Sequence, residues 1–319
     1  MKPPALTDAQ KIRLSILRKQ LLESCAVGDV VAGRKAIADL KPLLIRTGHH
    51  TKYHELLLHY CETLILKKEY QAADSLLLGI LKNTNDNTRI HQEASVLLSI
   101  CKLHNGDIKS SELYLRNALH STAIKGLERR KEFLHWISKR FEEESLLVSF
   151  GENPFEINTD AIVAEIQNNF ISNVSAKQLL ENIGNSVPPK SIDFMKKIYE
   201  MAKNQLPHNE KPMLPPALGS SDSCEVGKRV FDGISRRIWM KICPRNSGMR
   251  QSLSCLQDPK IVSIAILTEI ASQGYGLPVN TMLASLTAYI LKISLNKYCD
   301  EFKPEPLMRQ RYKREGRNS

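Results

Sequence analysis

The sequence predicts an all-α protein that begins with a stack of helical hairpins, and three observations support this prediction. Apolar residues recur at intervals of three and four residues, as in Leu57, Tyr60 and Leu64, which is the spacing of one helix face. No stretch shows the sustained alternation expected of a half-buried strand. Turn-forming clusters such as Asn105-Gly106-Asp107 separate the periodic stretches at short intervals.

The composition fits a chain with more than one packed domain. At about 150 residues per domain, a length of 319 residues predicts two domains. Hydrophobic residues make up 42% of the chain and aromatic residues only 6%. The seven cysteines are scattered and contain no Cys-x-x-Cys pair, so we expect neither a disulfide framework nor a zinc framework. Buried thiols in a reducing cytoplasm fit this pattern best.

The first helix is expected to start close to the beginning of the sequence. Thr7 and Gln10 have the spacing of a capping box, in which each side chain bonds the other residue's backbone N–H. The residues before Thr7 include no apolar run followed by small residues, so a signal peptide is not expected.

A tight turn then recurs at spacings of 40 and 38 residues, starting at Gly28, Lys68 and Gly106. Small residues follow five positions after each turn, and apolar residues follow nine and twelve positions after it. These positions are Gly33, Ala73 and Ser111; Ile37, Leu77 and Leu115; and Leu40, Ile80 and Ala118. The turn would reverse the chain between two helices, the small residue would permit close approach, and the apolar residues would face the next hairpin.

This pattern resembles the tetratricopeptide repeat over roughly residues 10–122, most closely at Lys68–Asp74. The repeats are longer than the 34 residues of that family, and its first-helix Trp, Leu-Gly and Tyr signature is mostly absent. The resemblance implies an α-solenoid with a concave surface that binds a protein segment. Tyr53, Leu57 and His91, on the first helices of the hairpins, are therefore the candidate partner-binding residues.

Beyond the repeats, composition and turn signals divide the chain further. Proline and glycine between Pro207 and Gly219 prevent a continuous helix and predict a spacer. The predicted segments are a repeat domain (1–148), a helical connector (149–205), a Pro/Ser-rich linker (206–225), a basic apolar helical module (226–302) and a disordered basic tail (303–319).

The positive charge is concentrated in the C-terminal part of the chain. Residues 226–319 contain 16 Lys or Arg against 7 Asp or Glu, whereas the other 225 residues contain 29 against 27. This asymmetry indicates an acidic partner, and the candidate residues are Arg229, Arg236, Arg237 and Lys241. Nucleic acid, an anionic membrane and an acidic protein face are the alternatives, and a solvated basic surface without a partner is also consistent.

The apolar hairpin at 261–299 has three interpretations. A buried core hairpin is one, and a protein-binding surface is another. The third is a membrane-inserting element, which would make the protein a membrane-acting effector. Lys292 within the second helix weighs against a spanning segment because a charge at the bilayer centre costs about 3 kcal/mol. The module resembles small C-terminal modules of bacterial defence and conflict-system proteins at Ile242-Cys243-Pro244 and Lys297–Asp300, which implies membership of such a system.

The motifs predict no catalytic chemistry. His54 and His59 are five residues apart, whereas a zinc-binding pair on one helix face requires four. His50 and His54 have the correct spacing, but no third ligand accompanies them. The sequence has no phosphate-binding glycine loop and no nucleophile elbow. We therefore expect no metal, no cofactor and no small-molecule substrate. The leading hypothesis is a non-enzymatic cytoplasmic adaptor or scaffold that binds a protein partner, with membrane association and nucleic-acid docking as alternatives.

Overall fold

A computed structural model describes residues 3–151, 159–171, 173–219, 221–244, 259–272, 277 and 280–304. Within these residues the regular structure is helical and no strand occurs, which confirms the all-α prediction. A short 3-10 helix lies at Lys211–Met213. The predicted tail lies outside the described residues from position 305 onward.

The helices of the first half are α1 (Asp8–Val27), α2 (Val30–Arg46), α3 (His50–Leu66), α4 (Tyr70–Lys82), α5 (Arg89–His104), α6 (Ile108–His120) and α7 (Leu127–Ser149). Those of the second half are α8 (Thr159–Ile171), α9 (Ala176–Asn185), α10 (Pro189–Asn204), α11 (Ser223–Ile242), α12 (Pro259–Ser272), α13 (Asn280–Ile293) and α14 (Leu295–Glu301).

The chain forms two compact units, and the division between them falls inside α7. Unit 1 contains the residues up to Leu134 together with Gln205–His208, and unit 2 contains His135–Asn204 and Asn209–Pro304. The predicted connector and the predicted C-terminal module therefore lie in the same unit, where α9 packs against α11. The predicted linker contacts this unit too, because the Tyr199 hydroxyl donates to the Pro215 carbonyl at 2.6 Å.

Unit 1 contains the predicted hairpins. Helices α1 and α2, α3 and α4, and α5 and α6 pack as antiparallel pairs, and α1 and α5 both contact α3. Contacts between the first helices of successive hairpins stack the pairs as in a solenoid. The Thr7 and Gln10 capping box is present at the start of α1, as predicted.

The three predicted turns share one backbone geometry. Gly28, Lys68 and Gly106 all adopt a left-handed conformation, with φ of 68°, 62° and 75°. The next residue precedes the second helix of each hairpin, and at the first and third turns it is an aspartate that caps this helix. Each turn therefore connects two helices through only two or three residues.

The predicted packing positions of the repeats are all buried. Gly33 shows why a small residue is required, since a Cβ atom there would lie 2.8 Å from Cε2 of Tyr60. The Tyr60 hydroxyl also donates to the Val30 carbonyl at 3.1 Å. The Tyr60 ring, on α3, thus lies directly against the α2 backbone. This contact joins the first hairpin to the second.

Lys68→Gly is expected to raise the free energy of unfolding of unit 1 by about 1 kcal/mol, because a left-handed conformation costs a non-glycine residue roughly 1–2 kcal/mol. Urea unfolding followed by circular dichroism measures this change. The matched control is Gly106→Ala, at the equivalent position of the third turn, where an added Cβ atom meets nothing within 4 Å. This control should destabilise through backbone strain alone. A destabilised Lys68→Gly chain would contradict the shared turn geometry.

In unit 2 the second helix of the apolar hairpin lies in the core. Helix α13 contacts α8, α9 and α12, and its residues Met282–Ala288 are all buried. Among the described residues, no helix is both long enough and apolar enough to cross a bilayer. The described part of the hairpin thus has the burial expected of the core interpretation.

The cysteine prediction is wrong at one pair. Cys243, directly after α11, and Cys299, in α14, form a disulfide with their Cα atoms 5.3 Å apart. The two residues are 56 positions apart in the chain, so their proximity depends on tertiary packing that spacing rules do not report. Cys61 and Cys101 are buried in helices of unit 1, as the sequence predicts.

Candidate partner-binding cleft

An open cleft of about 890 Å³ lies at one edge of unit 1. Three parts of the chain form it, and each lies at a helix start or in a connection between hairpins. They are the first turn of α3, the α4–α5 connection with the start of α5, and the α6–α7 connection with the start of α7. The cleft therefore follows directly from the stacking of the hairpins, which brings successive connections to the same edge.

Charged side chains of both signs line this cleft. Arg89, Lys125 and Arg129 supply positive charge, while Glu55 and Glu132 supply negative charge. Nη2 of Arg89 lies 3.5 Å from Oε1 of Glu55, so one ion pair connects the starts of α5 and α3. The first turns of these two helices also carry backbone N–H groups that lack helical partners and favour negative charge. The cleft thus has one more cationic than acidic side chain, in addition to these backbone donors.

Two histidines extend the polar lining at the start of α3. His50 is exposed, whereas His54 is only 6% exposed. Burial lowers the pKa of His54, and the nearby His50 lowers it further. Both effects favour the neutral form of the His54 imidazole. No cluster of three or more metal-ligating side chains occurs in the described part of the chain.

None of the three residues predicted to bind a partner lines the cleft. Tyr53 is 8% exposed and Leu57 is 5% exposed, so both belong to the core of unit 1. His91 is partly buried, with Nδ1 3.2 Å from Oγ1 of Thr84 and Nε2 3.5 Å from Oδ1 of Asp86. In this structure Tyr53 and Leu57 have the wrong orientation for a partner, because their side of α3 packs inside the unit.

Sequence reasoning did not identify four of the charged or polar residues that line the cleft as candidates for partner binding. They are His50, Arg89, Lys125 and Arg129. Each lies in or beside a connection between helices, where charged residues are common and carry no helical periodicity. The repeat spacing was the usable signal, because it implies that connections one hairpin apart lie at the same edge.

The arginines predicted to bind an acidic partner instead pair with glutamates of α7 inside unit 2. Nε of Arg229 lies 2.8 Å from Oε2 of Glu142, and Nη1 of Arg236 lies 2.7 Å from Oε2 of Glu143. These side chains are 11% and 15% exposed, which leaves little of either guanidinium for a partner.

The third arginine, Arg237, is fully buried. Its Nη2 lies 2.9 Å from Oε2 of Glu144, and neither side chain has any exposed surface. Lys241 is the only one of the four predicted residues that is exposed. The basic sequence pattern of α11 was therefore misinterpreted at its three arginines, because the acids that neutralise them lie about 90 residues earlier in the chain.

Comparison with known proteins gives no family assignment. No protein-family model matches the chain, and searches of curated proteins and of solved structures return no match either.

Proposed function

We propose that this protein is a non-enzymatic adaptor whose repeat unit binds an acidic segment of a protein partner in the cleft between α3, α5 and α7. The observation that supports this proposal is the cleft itself, which is open, about 890 Å³ in volume and lined by three cationic and two acidic side chains together with two helix N-terminal turns. The resemblance of the hairpins to the tetratricopeptide repeat supports a protein as the ligand.

Lys125 and Arg129 are the residues expected to contact the partner's carboxylates. Both side chains are exposed and both line the cleft. Each lies near the N-terminal turns of α3 and α5, so an acidic group there would meet side-chain and backbone donors together. Buried His54 adds a neutral polar group to the same wall.

The experiment is affinity capture with the full chain, followed by mass spectrometry and by titration calorimetry with the purified partner. Lys125→Glu/Arg129→Glu should weaken binding by tenfold or more, which corresponds to about 1.4 kcal/mol. The matched control is Lys109→Glu/Arg116→Glu on α6. Both control residues are exposed, lie in unit 1 and change the net charge equally, so binding should stay within about twofold.

Equal binding by the cleft variant and the control would contradict the proposal. Recovery of nucleic acid or lipid in place of a protein would also contradict it, and would favour one of the two alternative functions. Surface substitutions are preferable to truncation here, because a chain ending at Leu206 would divide unit 2. Membership of a defence system is a further proposal from the C-terminal resemblance, which the identity of the partner would test.

A further inference from the structure

The first hairpin exposes more large apolar side chains than the rest of the described chain. Ile12 is 63% exposed, Ile16 is 52% exposed and Val27 is 39% exposed on α1, and Val31 is 79% exposed at the start of α2. Elsewhere in the described residues only Leu113 and Leu127 are comparable. Residues 12 and 16 are one helical turn apart, so they form an apolar strip on the solvent side of α1.

A groove of about 560 Å³ runs along α1 beside this strip. Leu6, Leu14 and Leu22 contribute apolar surface to it, and Leu6 is buried while the other two are half-buried. A groove of this kind accepts apolar side chains, whereas a flat exposed surface would leave them in water. The strip and the groove together make the outer face of α1 suitable for an apolar ligand.

The rim of the groove is cationic. Lys11, Arg18, Lys19 and Lys52 line it, against the single acid Glu23. Nζ of Lys11 lies 2.9 Å from Oδ1 of Asp8, and Nζ of Lys19 lies 3.9 Å from Oε1 of Glu23. Both pairs are highly exposed, and such pairs contribute little, so a ligand's carboxylates can replace these acids. The first hairpin as a whole, residues 8–46, carries eight Lys or Arg against four Asp or Glu.

The outer face of α1 combines apolar surface with an excess of cations. From residue 12 to residue 27 the exposed apolar positions extend over about 22 Å of helix, at 1.5 Å per residue. This length matches about four turns of a second helix lying alongside.

We propose that the outer face of α1 binds an acidic amphipathic helix of a protein partner, with apolar residues in the groove and carboxylates against the cationic rim. This surface is separate from the cleft and does not depend on the function proposed for it. With both surfaces in use, the repeat unit would contact two protein segments at once, which is what an adaptor requires.

Charge argues against the other occupants. A second copy related by two-fold symmetry would place the same cationic face against itself, and such like-charge juxtaposition is costly. The chain's own C-terminal segment is also basic, with Arg309, Arg311 and Arg314. An anionic bilayer would satisfy the charge but would not fill a groove, and the exposed strip has Ile and Val rather than the Trp and Phe common in interfacial helices.

The test uses the full chain and a fluorescein-labelled synthetic peptide of about 18 residues, long enough for some 27 Å of helix. The peptide carries Leu at positions i, i+3, i+4 and i+7, Glu beside them and Ala elsewhere. Binding is measured by fluorescence polarisation. Ile12→Ser/Ile16→Ser should weaken binding by tenfold or more without changing the net charge. The matched control Leu113→Ser/Leu127→Ser removes equally exposed apolar residues elsewhere in unit 1, and its affinity should stay within twofold.

Three results would overturn the proposal. The first is equal binding of a peptide with the same composition in shuffled order, because attraction between opposite net charges would then suffice. The second is dimerisation in sedimentation experiments that is lost in the Ile12/Ile16 variant while the peptide does not bind. The third is flotation with phosphatidylserine vesicles that requires Ile12 and Ile16, again without peptide binding.

Retention of peptide binding by Lys125→Glu/Arg129→Glu is expected, and it separates this surface from the cleft.

Discussion

Gly227→Ala is expected to destabilise unit 2 by about 3 kcal/mol or more, at or above the upper end of typical overpacking costs. Helix α11 crosses α9 at Gly227, where an added Cβ atom would lie 1.9 Å from the Leu180 carbonyl oxygen. Gly184 on α9 has the reciprocal position, with an added Cβ atom 1.8 Å from the Ser223 carbonyl oxygen. In both cases the added Cβ atom would clash with backbone atoms, so the two helices would have to move apart to remove the clash.

Tryptophan fluorescence during urea unfolding measures this effect selectively. The chain has two tryptophans, Trp136 and Trp239, and both lie in unit 2. The control is Gly233→Ala on the same helix, where an added Cβ atom would meet the Leu147 side chain at 3.2 Å. That side chain can move, so we expect a change of no more than about 1 kcal/mol. Similar midpoints for Gly227→Ala and wild type would show that the helices do not cross at backbone contact.

This crossing also shows where prediction from sequence stops. From the sequence alone, Gly184 predicts the end of a helix that starts after Ser175, because glycine often follows a helix C-terminus. The Ser175 cap is present, but α9 continues through Gly184 to Asn185. Glycine has two uses in helical proteins, termination and close packing, and only the position of the partner helix decides between them. Gly227, on that partner helix, lies more than 40 residues further along the chain.

The features that were predicted correctly are local ones. A capping box involves residues three apart, and a hairpin turn requires a left-handed residue followed by a helix start, so Thr7, Gly28 and Gly106 identify these structures by themselves. Burial of Ala73 and Leu77 follows from the same repeat spacing. Each of these predictions needs only residues within one or two hairpins.

The predictions that failed concern contacts between distant segments. Arg229, Arg236 and Arg237 form a conspicuous basic group on α11, and Arg229 has an acid nearby in sequence, with its Nη1 3.7 Å from Oε2 of Glu225. Their partners are three consecutive glutamates, Glu142–Glu144, and a run of three acids is usually interpreted as a solvated surface. Two groups that each suggest exposure become buried because they face one another, and the Cys243–Cys299 disulfide was missed for the same reason.

Glu144→Leu is expected to destabilise unit 2 by about 3–5 kcal/mol, the usual cost of breaking a buried ion pair from one side. This change leaves Arg237 buried with its charge, and a guanidinium cannot lose its proton in a protein. Its contacts also include the Gly233 carbonyl, 2.9 Å from Nη1. Tryptophan fluorescence reports the loss, since α11 and the second half of α7 both belong to unit 2.

Arg237→Met should lower the free energy of unfolding of unit 2 by less than Glu144→Leu does. The two partners of the ion pair are therefore expected to differ in the effect of their removal. Glu144 would keep a cation, because Nη2 of Arg140 lies 3.0 Å from its Oε1, and an isolated buried carboxylate can also take up a proton. The penalty of Arg237→Met should therefore shrink as the pH is lowered, whereas the penalty of Glu144→Leu should not shrink in this way. The double variant removes both charges of the pair and should recover the part of the stability lost in Glu144→Leu that comes from the unpaired Arg237, while Arg140 still lacks Glu144.

A double-mutant cycle tests this interpretation, because the coupling energy isolates the contribution of the pair. A coupling of about 2 kcal/mol or more is expected for groups with no exposed surface, against less than about 1 kcal/mol for exposed pairs. Lys177 and Glu181 provide the exposed reference, with Nζ 3.6 Å from Oε1 and side chains 75% and 34% exposed on α9. Additive effects at Glu144 and Arg237 would mean that the two side chains do not neutralise each other, which would contradict this interpretation.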